Sequence, residues 1–412
     1  QNGIGPLSPT ALRILQAGSS ITVGALTSAT AYQYAIIQRT VGFWYLAKGG
    51  TQYSNWMLVY PSLTGSPGSV YPAVTADTTT AVFTADNVRI PQDTIVLQPL
   101  AYDTFTRANG AIGNTETVGP DSQALIALAW TGATFTISTN KIICTPVLGA
   151  DAIVNGGFAA DTDWTKGAGW AIAAGGATAT AATSNLDAAV APLTLGAWYQ
   201  TAFTISGFVG GTAKVVLGGV SFPTHGSNAT FTETGRAGST AFAITAAGAT
   251  LSVDDVSAKV LTLSELLASI STSTSDVFAE VNVTLSGATA GLQAGLVVNL
   301  DSAATPANFV LAYLDGRGNA VLDKCVAGTY TNVVSGAVTY SAGAPLRVVK
   351  RGTEYRLFYN NSEVGAAGTI SDAGIISNTL HGLFCTSASN SLDAFTLWPS
   401  GTGNEYTDLD SY

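Results

Sequence analysis

Phe309-Val310-Leu311-Ala312-Tyr313-Leu314 is followed by Asp315-Gly316, and shortly afterwards by Ala320-Val321-Leu322-Asp323-Lys324-Cys325. Six apolar residues stop at a dipeptide that tolerates positive φ, and a second strand-length run resumes. This is the pattern of a β-hairpin. Working outward, runs of the same kind lie at 277–285, 291–300, 346–350, 355–359 and 395–398, with Asn360-Asn361 as a second hairpin turn. Only Ser264-Glu265-Leu266-Leu267 suggests a turn of helix between them. Strands recurring every ~8–12 residues without helical interludes predict an all-β chain of sandwiches rather than a βαβ fold.

Composition narrows the function classes. The 412 residues carry 16 basic and 26 acidic side chains, so charge makes up 10% of the chain, against roughly 25% in an average domain. Coiled coils need far more Glu, Lys, Leu and Arg. A hydrophobic content of 47% argues against classical disorder. A net charge of -10 disfavours a nucleic-acid partner, which needs clustered Lys and Arg. No apolar run reaches the ~18 residues of a membrane span. The chain begins at Gln1 and its one Met is Met57, which fits a processed product or numbering inside a longer one, and export is the inference drawn. Cys144, Cys325 and Cys385 form no disulfide framework and no zinc spacing. They read as buried small hydrophobes, with one Cys325–Cys385 bridge as the alternative.

The chain divides by composition. Residues 1–100 form an N-terminal β-rich domain, with strand-like runs at 32–39, 42–47, 56–60 and 81–84. The stretch Ser8-Pro9-Thr10-Ala11-Leu12-Arg13-Ile14-Leu15 reads either as a short helix or as an extended lead-in. Residues 148–261 are almost pure Ala, Gly, Thr, Ser and Val with aromatic punctuation, and alternate with period two at Thr201, Phe203 and Ile205. Residues 101–147 and 262–400 flank this segment, and 401–412 form a C-terminal tail.

A family resemblance attaches to particular residues. Asp103-Thr104-Phe105-Thr106-Arg107-Ala108-Asn109-Gly110, with Gly113 and Trp130, resembles the start of the concanavalin A-like (laminin-G-like) lectin domains of phage virions and bacterial surfaces. Ala294-Gly295-Leu296-Val297-Val298, Tyr355-Arg356-Leu357-Phe358-Tyr359, His381-Gly382-Leu383-Phe384 and Leu392-Asp393-Ala394-Phe395 are similar to that family's other half. Residues 148–261 are similar to a carbohydrate-binding-module jelly roll, from Asn155-Gly156-Gly157-Phe158 through Trp164, Trp170 and Trp198-Tyr199 to Val253-Asp254-Asp255-Val256. The resemblance implies several β-sandwich or jelly-roll domains, one inserted into another.

Catalytic signatures are missing. A glucanase of this fold needs paired carboxylates, yet the seven Glu residues form no Glu-x-Asp-x-Glu pattern. Asp276 and Glu280 share a sheet face, which reads as a solvated one. His225 and His381 lie far apart, with no Ser/His/Asp order. His381 reads as structural, and His225 as an exposed loop residue able to contact a ligand. No enzyme is expected.

Binding is the better argument, because an exposed aromatic ring stacks on a sugar face. Tyr199 follows the buried register of Thr201, Phe203 and Ile205, so Trp198 is the exposed candidate. The alternative is that Trp198 packs against a neighbouring domain. Phe222 and His225, in the loop Phe222-Pro223-Thr224-His225-Gly226, complete the carbohydrate-binding set. Modules like the one resembled often hold a structural Ca²⁺ where Asn155, Asp254 and Asp255 stand, with one Asp facing inward. The alternative there is a carboxylate capping turn N–H groups. The expected protein is a structural, self-assembling subunit of a virion surface or extracellular filament, with copies of itself and cell-surface glycans as partners. The rival is a secreted lectin or polysaccharide-active enzyme. The segment Ser19-Ser20-Ile21-Thr22-Val23-Gly24-Ala25-Leu26 is a candidate strand for addition to a neighbouring copy.

Overall fold

The computed structural model describes residues 99–400 except 121, 123 and 174, and before them the backbone of strands within 3–62. The early strands form two antiparallel three-stranded sheets. One holds Gly3–Ser8, Ala11–Gln16 and Ser19–Ala25, and the other Gln33–Arg39, Gly42–Gly49 and Tyr53–Ser62. The extended alternative therefore holds for the stretch after Ser8, and Ser19–Ala25 pairs within its own chain, with Ala11–Gln16. The expected strand at 81–84 and the tail 401–412 lie outside the described residues.

The body of the chain is all-β and antiparallel. A nine-stranded sheet runs through Val277–Thr284, Ala344–Arg351, Glu354–Tyr359, Ser362–Thr369 and Ser391–Pro399, and takes in Ala101–Asp103, Gly110–Ala111, Phe135–Ser138 and Lys141–Cys144. Strands on both sides of 148–261 thus share one sheet: Phe395 pairs with Asp103, and Leu392 with Ile142. A six-stranded sheet of Leu267–Ser271, Leu380–Cys385, Ala294–Leu300, Phe309–Leu314, Asn319–Val326 and Thr329–Ala337 packs on it. Residues 148–261 build a sheet of their own around a separate core of Phe158, Trp164, Trp170, Tyr199 and Phe203.

The six-stranded sheet is covered on both faces, which explains why Phe309–Leu314 is apolar without alternation. Val310, Ala312 and Leu314 face the nine-stranded sheet, while Phe309, Leu311 and Tyr313 face Trp198 and Leu261. The hairpin turns follow their chemistry. Asn360 and Asn361 both have positive φ between the paired Tyr359 and Ser362, as a two-residue type I′ turn requires.

Buried polar groups stabilise the nine-stranded sheet. The fully buried Asp103 carboxylate accepts from the Phe105 amide at 2.9 Å, from both Arg107 terminal nitrogens (2.6 and 3.1 Å) and from Trp130 Nε1 at 2.9 Å. Asp103, Arg107 and Trp130 thus act as a set: one buried carboxylate needs several donors. The expectation that Asp276 and Glu280 lie on a solvated face is wrong. Glu280 is buried and paired with Arg347, and Asp276 is bound by the buried Lys350. Each acidic group meets a cation from the adjacent strand Ala344–Arg351.

All three cysteines are free and buried. A Cys325–Cys385 bridge is excluded by topology. Cys325 faces the 148–261 layer and Cys385 faces the nine-stranded sheet, and two strands separate theirs. Side chains on opposite faces of a sheet, with strands ~4.8 Å apart, cannot meet.

Candidate functional site

Of the three carbohydrate candidates, Trp198 leaves the list. It is 4% exposed, lies against Tyr313, Tyr330 and Phe384, and donates from Nε1 to the Tyr330 hydroxyl at 3.0 Å. Neither ring face is free for a sugar. The period-two argument correctly sent Trp198 and Tyr199 to opposite faces, but a second layer covers the outer one.

Phe222 and His225 lie in one loop, and the local sequence explains how it is held. Gly218 and Gly219 both take positive φ, so the chain reverses and Val220–Ser221 pairs back on Val216 and Leu217. A Cβ on Gly218 would sit 2.3 Å from the Ser239 amide nitrogen, so no other residue fits there. The loop after Ser221 is then clamped: His225 exchanges both backbone hydrogen bonds with Ala213, at 2.8 and 2.9 Å. Phe222 turns inward beneath Gly235 and is buried. The His225 ring stacks on Phe231 with centroids 3.8 Å apart, and Nε2 lies 3.0 Å from Glu233 Oε1. The expected exposed loop histidine is in fact a held one, with a side chain 16% exposed.

Glu233 is the more telling residue. Its side chain is 2% exposed, and Oε2 has no hydrogen-bond partner. Burial pushes its carboxyl above the ordinary range, while the His225 hydrogen bond and the Arg317 charge pull it back. Opposite, the turn Asp315-Gly316-Arg317-Gly318 is fixed by Asp315, whose Oδ1 accepts from the amides of Arg317 (2.8 Å) and Asn319 (3.0 Å). The Arg317 Nη1 donates to Ser221 O at 3.4 Å, and its Nε is ion-paired with Asp315 Oδ2 at 3.4 Å.

Between these walls lies a cleft of ≈ 330 Å³, lined by Ser221, Phe222, Pro223, Thr224, Thr289 and Arg317. It sits where the 148–261 layer meets the six-stranded sheet. Beside it, Thr234 N donates to Gly291 O at 2.9 Å, and Gln293 Nε2 to Thr234 O at 2.6 Å. Arg236 ties the layers further, paired with Asp323 at 3.3 Å and stacked over Tyr330 at 3.9 Å. A second cleft of ≈ 340 Å³ lies at Arg107 and Asn114 to Val118, and its one cation is likewise paired, with the buried Asp103. Sequence reasoning missed Glu233, Thr289 and Arg317 because they come from three separate segments. The Asp-Gly-Arg-Gly turn was the only local signal.

In the expected calcium set, Asn155 and Asp254 bond local backbone groups. The Asn155 Nδ2 donates to Ala160 O and Thr162 O at 2.8 and 2.9 Å. Asp254 is half-buried and accepts from the Asp255 amide, and Asp255 is exposed at positive φ. Neither Asp faces inward, and no group of three His, Cys, Asp or Glu among the described residues could hold a metal. Asp151 does the pinning instead. Its Oδ1 accepts from Ile153 N (3.0 Å) and Ala258 N (2.9 Å), joining the first and last strands of the layer. A carboxylate capping backbone N–H groups is thus present, but from a different residue.

No protein-family model matches the chain, and no curated protein matches it. Among solved structures it is similar to the carbohydrate-binding module CBM66 from Bacillus subtilis, with 18% identity over 32% of this chain and 80% of that one, at a TM-score of 0.24. Sheep galectin-11 matches 31% of this chain and 93% of its own with 13% identity and a TM-score of 0.25. The GH43 protein BlXynB from Bacillus licheniformis matches 96% of this chain and 72% of its own with 13% identity and a TM-score of 0.28. Likeness at this level carries no activity and no residue role to this chain.

Proposed function

We propose that this chain is a non-catalytic, glycan-binding β-sandwich protein of an extracellular or virion surface, and that the glycan lies in the cleft between the Ser221–His225 loop and Arg317. One observation carries the reading: the ≈ 330 Å³ cleft sets Arg317, whose side chain is 31% exposed, among three hydroxyl residues and the apolar Pro223. A sugar ring offers hydroxyl edges and an apolar face, and small-ligand sites of about 300–1,000 Å³ are built from that mixture. The lining holds no carboxylate, whereas hydrolysis needs two flanking the scissile bond. Of the carboxylates near it, Asp315 is paired with Arg317 and Glu233 is bonded to His225. The reading keeps the phage-type lectin sandwich carrying an inserted carbohydrate-binding-module-like layer at 148–261 as its evolutionary frame.

The test is a glycan array with the full chain and with Arg317→Ala. Binding to a defined glycan that is lost in the variant, at unchanged melting temperature, supports the proposal. No binding by the parent chain, or equal binding by both, overturns it. Reducing-sugar release that Glu233→Gln abolishes would replace it with an enzyme.

Self-assembly is a second reading. Leu148–Asp151 pairs only with Phe242–Leu261 among the described residues, and all four of its residues are exposed. An open edge of that kind is a template for a strand from another copy. Truncation of residues 1–18 and, separately, 401–412 tests it by light scattering. Ser400 stays in the second variant because it is buried and bonded to Asp276 and Lys350.

A further inference from the structure

Gln293 stands just before the strand Ala294–Leu300 and is 2% exposed. Its side chain does not line the cleft, yet each wall of the cleft is tied to it. Nε2 lies 2.6 Å from Thr234 O, 3.1 Å from Gly291 O and 3.3 Å from Asp315 O. Three carbonyls on one side of the amide require its N–H groups there. On the other side, Oε1 accepts from Thr234 Oγ1 at 2.5 Å and lies 3.3 Å from Thr386 Oγ1. The three carbonyls belong to three separate segments. Thr234 lies on Ala229–Arg236, next to the Glu233 that bonds His225 and its loop. Gly291 follows the cleft residue Thr289 by two positions, and Asp315 opens the turn that carries Arg317. Main-chain bonds run between the same segments: Thr234 N donates to Gly291 O at 2.9 Å, and Gly291 N to Gly316 O at 3.0 Å. A buried amide so engaged holds one arrangement, because each bond it gives up leaves a buried polar group unpaired.

We infer that Gln293 is the positioning residue of the cleft: its amide sets the Arg317 turn and the Thr289 segment against the inserted layer. The inference rests on the glycan reading only for what the cleft binds, not for how the cleft is held. Asp315 Oδ1 fixes the turn's own shape through the Arg317 and Asn319 amides. Gln293 Nε2 and Gly291 N instead tie the carbonyls of Asp315 and Gly316 to the neighbouring segments. Loss of the amide therefore frees the turn without unfolding its sheet, since the pairing of Phe309–Leu314 with Asn319–Val326 does not depend on it.

The experiment compares the full chain with three variants. Gln293→Met keeps the length of the side chain and removes both ends of the amide. Gln293→Glu keeps an acceptor and offers at most one donor to the three carbonyls. Thr386→Val is the control, since it disturbs the same buried network without touching those carbonyls. Brief trypsin digestion of the native proteins follows cleavage after Arg317 by mass. The reference is cleavage after Lys166, whose side chain is 32% exposed elsewhere in the inserted layer. The ratio should rise about tenfold in Gln293→Met, the change expected from losing one or two hydrogen bonds that oppose local opening, and less in Gln293→Glu. Thr386→Val should stay within about twofold of the parent. If Gln293→Met does not fold, the rise in Gln293→Glu carries the test. An unchanged ratio in the folded Gln293 variants, or an equal rise in Thr386→Val, overturns the inference. A glycan array gives the second measurement. A glycan bound by the parent should be bound about tenfold more weakly by Gln293→Met, and equal binding overturns the inference. If the parent binds no glycan, the proposed ligand falls, and the cleavage ratio still decides the role of Gln293.

Discussion

Acidification should unlock His381, and the structure sets the size of the effect. The ring is fully buried. Its Nδ1 accepts from the Asn299 amide at 3.2 Å, and its Nε2 donates to Thr274 O at 3.1 Å. That arrangement admits only the neutral Nε2–H tautomer, since a proton on Nδ1 would face another N–H. Burial, with the Lys350 ammonium adding to it, lowers the imidazole from its ordinary 6.5 to about 4. Asp276, bound to Lys350, is the nearest named counter-charge. A depressed folded pKa means that the stabilisation is complete above pH 6.5 and is lost as pH falls through about 4. The gap from 6.5 to about 4, at about 1.4 kcal/mol per unit, is worth about 3 kcal/mol. Carboxylates titrate in the same window, so the assay compares two proteins. Urea unfolding is measured from pH 7.5 to 4 for the parent chain and for His381→Asn, whose amide oxygen still accepts from Asn299. The variant starts less stable, but the parent should lose about 2–3 kcal/mol more across that range. Parallel profiles would show that the histidine does not stay neutral in the fold, and would refute the reasoning.

Other consequences are as direct. Asp103→Ala leaves the buried Trp130 indole and the Phe105 amide without their acceptor and frees the partly exposed Arg107, and should cost about 1–3 kcal/mol in chemical denaturation. Gly156→Ala places a Cβ 1.8 Å from Val256 O, which forces the ends of the 148–261 layer apart; a loss of about 1–3 kcal/mol read by differential scanning calorimetry is expected. A chelator should leave the melting temperature unchanged, because Asn155 and Asp254 bond local backbone groups and Asp151 joins the strand ends without a metal; a chelator-dependent fall reversed by Ca²⁺ would contradict this. Residues 148–261, expressed alone, should fold, since Leu148 pairs with Leu261 and the segment has its own core. The chain lacking them should bind a hydrophobic dye, because Leu311, Phe309 and Phe384 lose their cover.

The sequence alone determined most of the local structure. Apolar runs cut by Asp-Gly and Asn-Asn specify strands and hairpins because turn chemistry and period-two burial act between near neighbours. The stretch from Asp103 to Trp130 stood out only by its resemblance to a family, and the structure supplies the physical link, a buried carboxylate bonded to Arg107 and Trp130. Whether a strand's outer face meets water or another layer is not written in the strand, and that one decision accounts for most of the differences. It turned Trp198 from a sugar platform into a contact with Tyr330, and Glu280 from a solvated residue into the partner of Arg347. It also split Cys325 from Cys385, which the sequence offered as a pair, by sending them to opposite faces of the six-stranded sheet. The cleft shows the same limit. His225 and Phe222 were legible as a loop, but Thr289 and Arg317 join them only through packing of one sheet on another. Burial and non-local packing depend on the summed area of all the layers, so only the tertiary structure decides them.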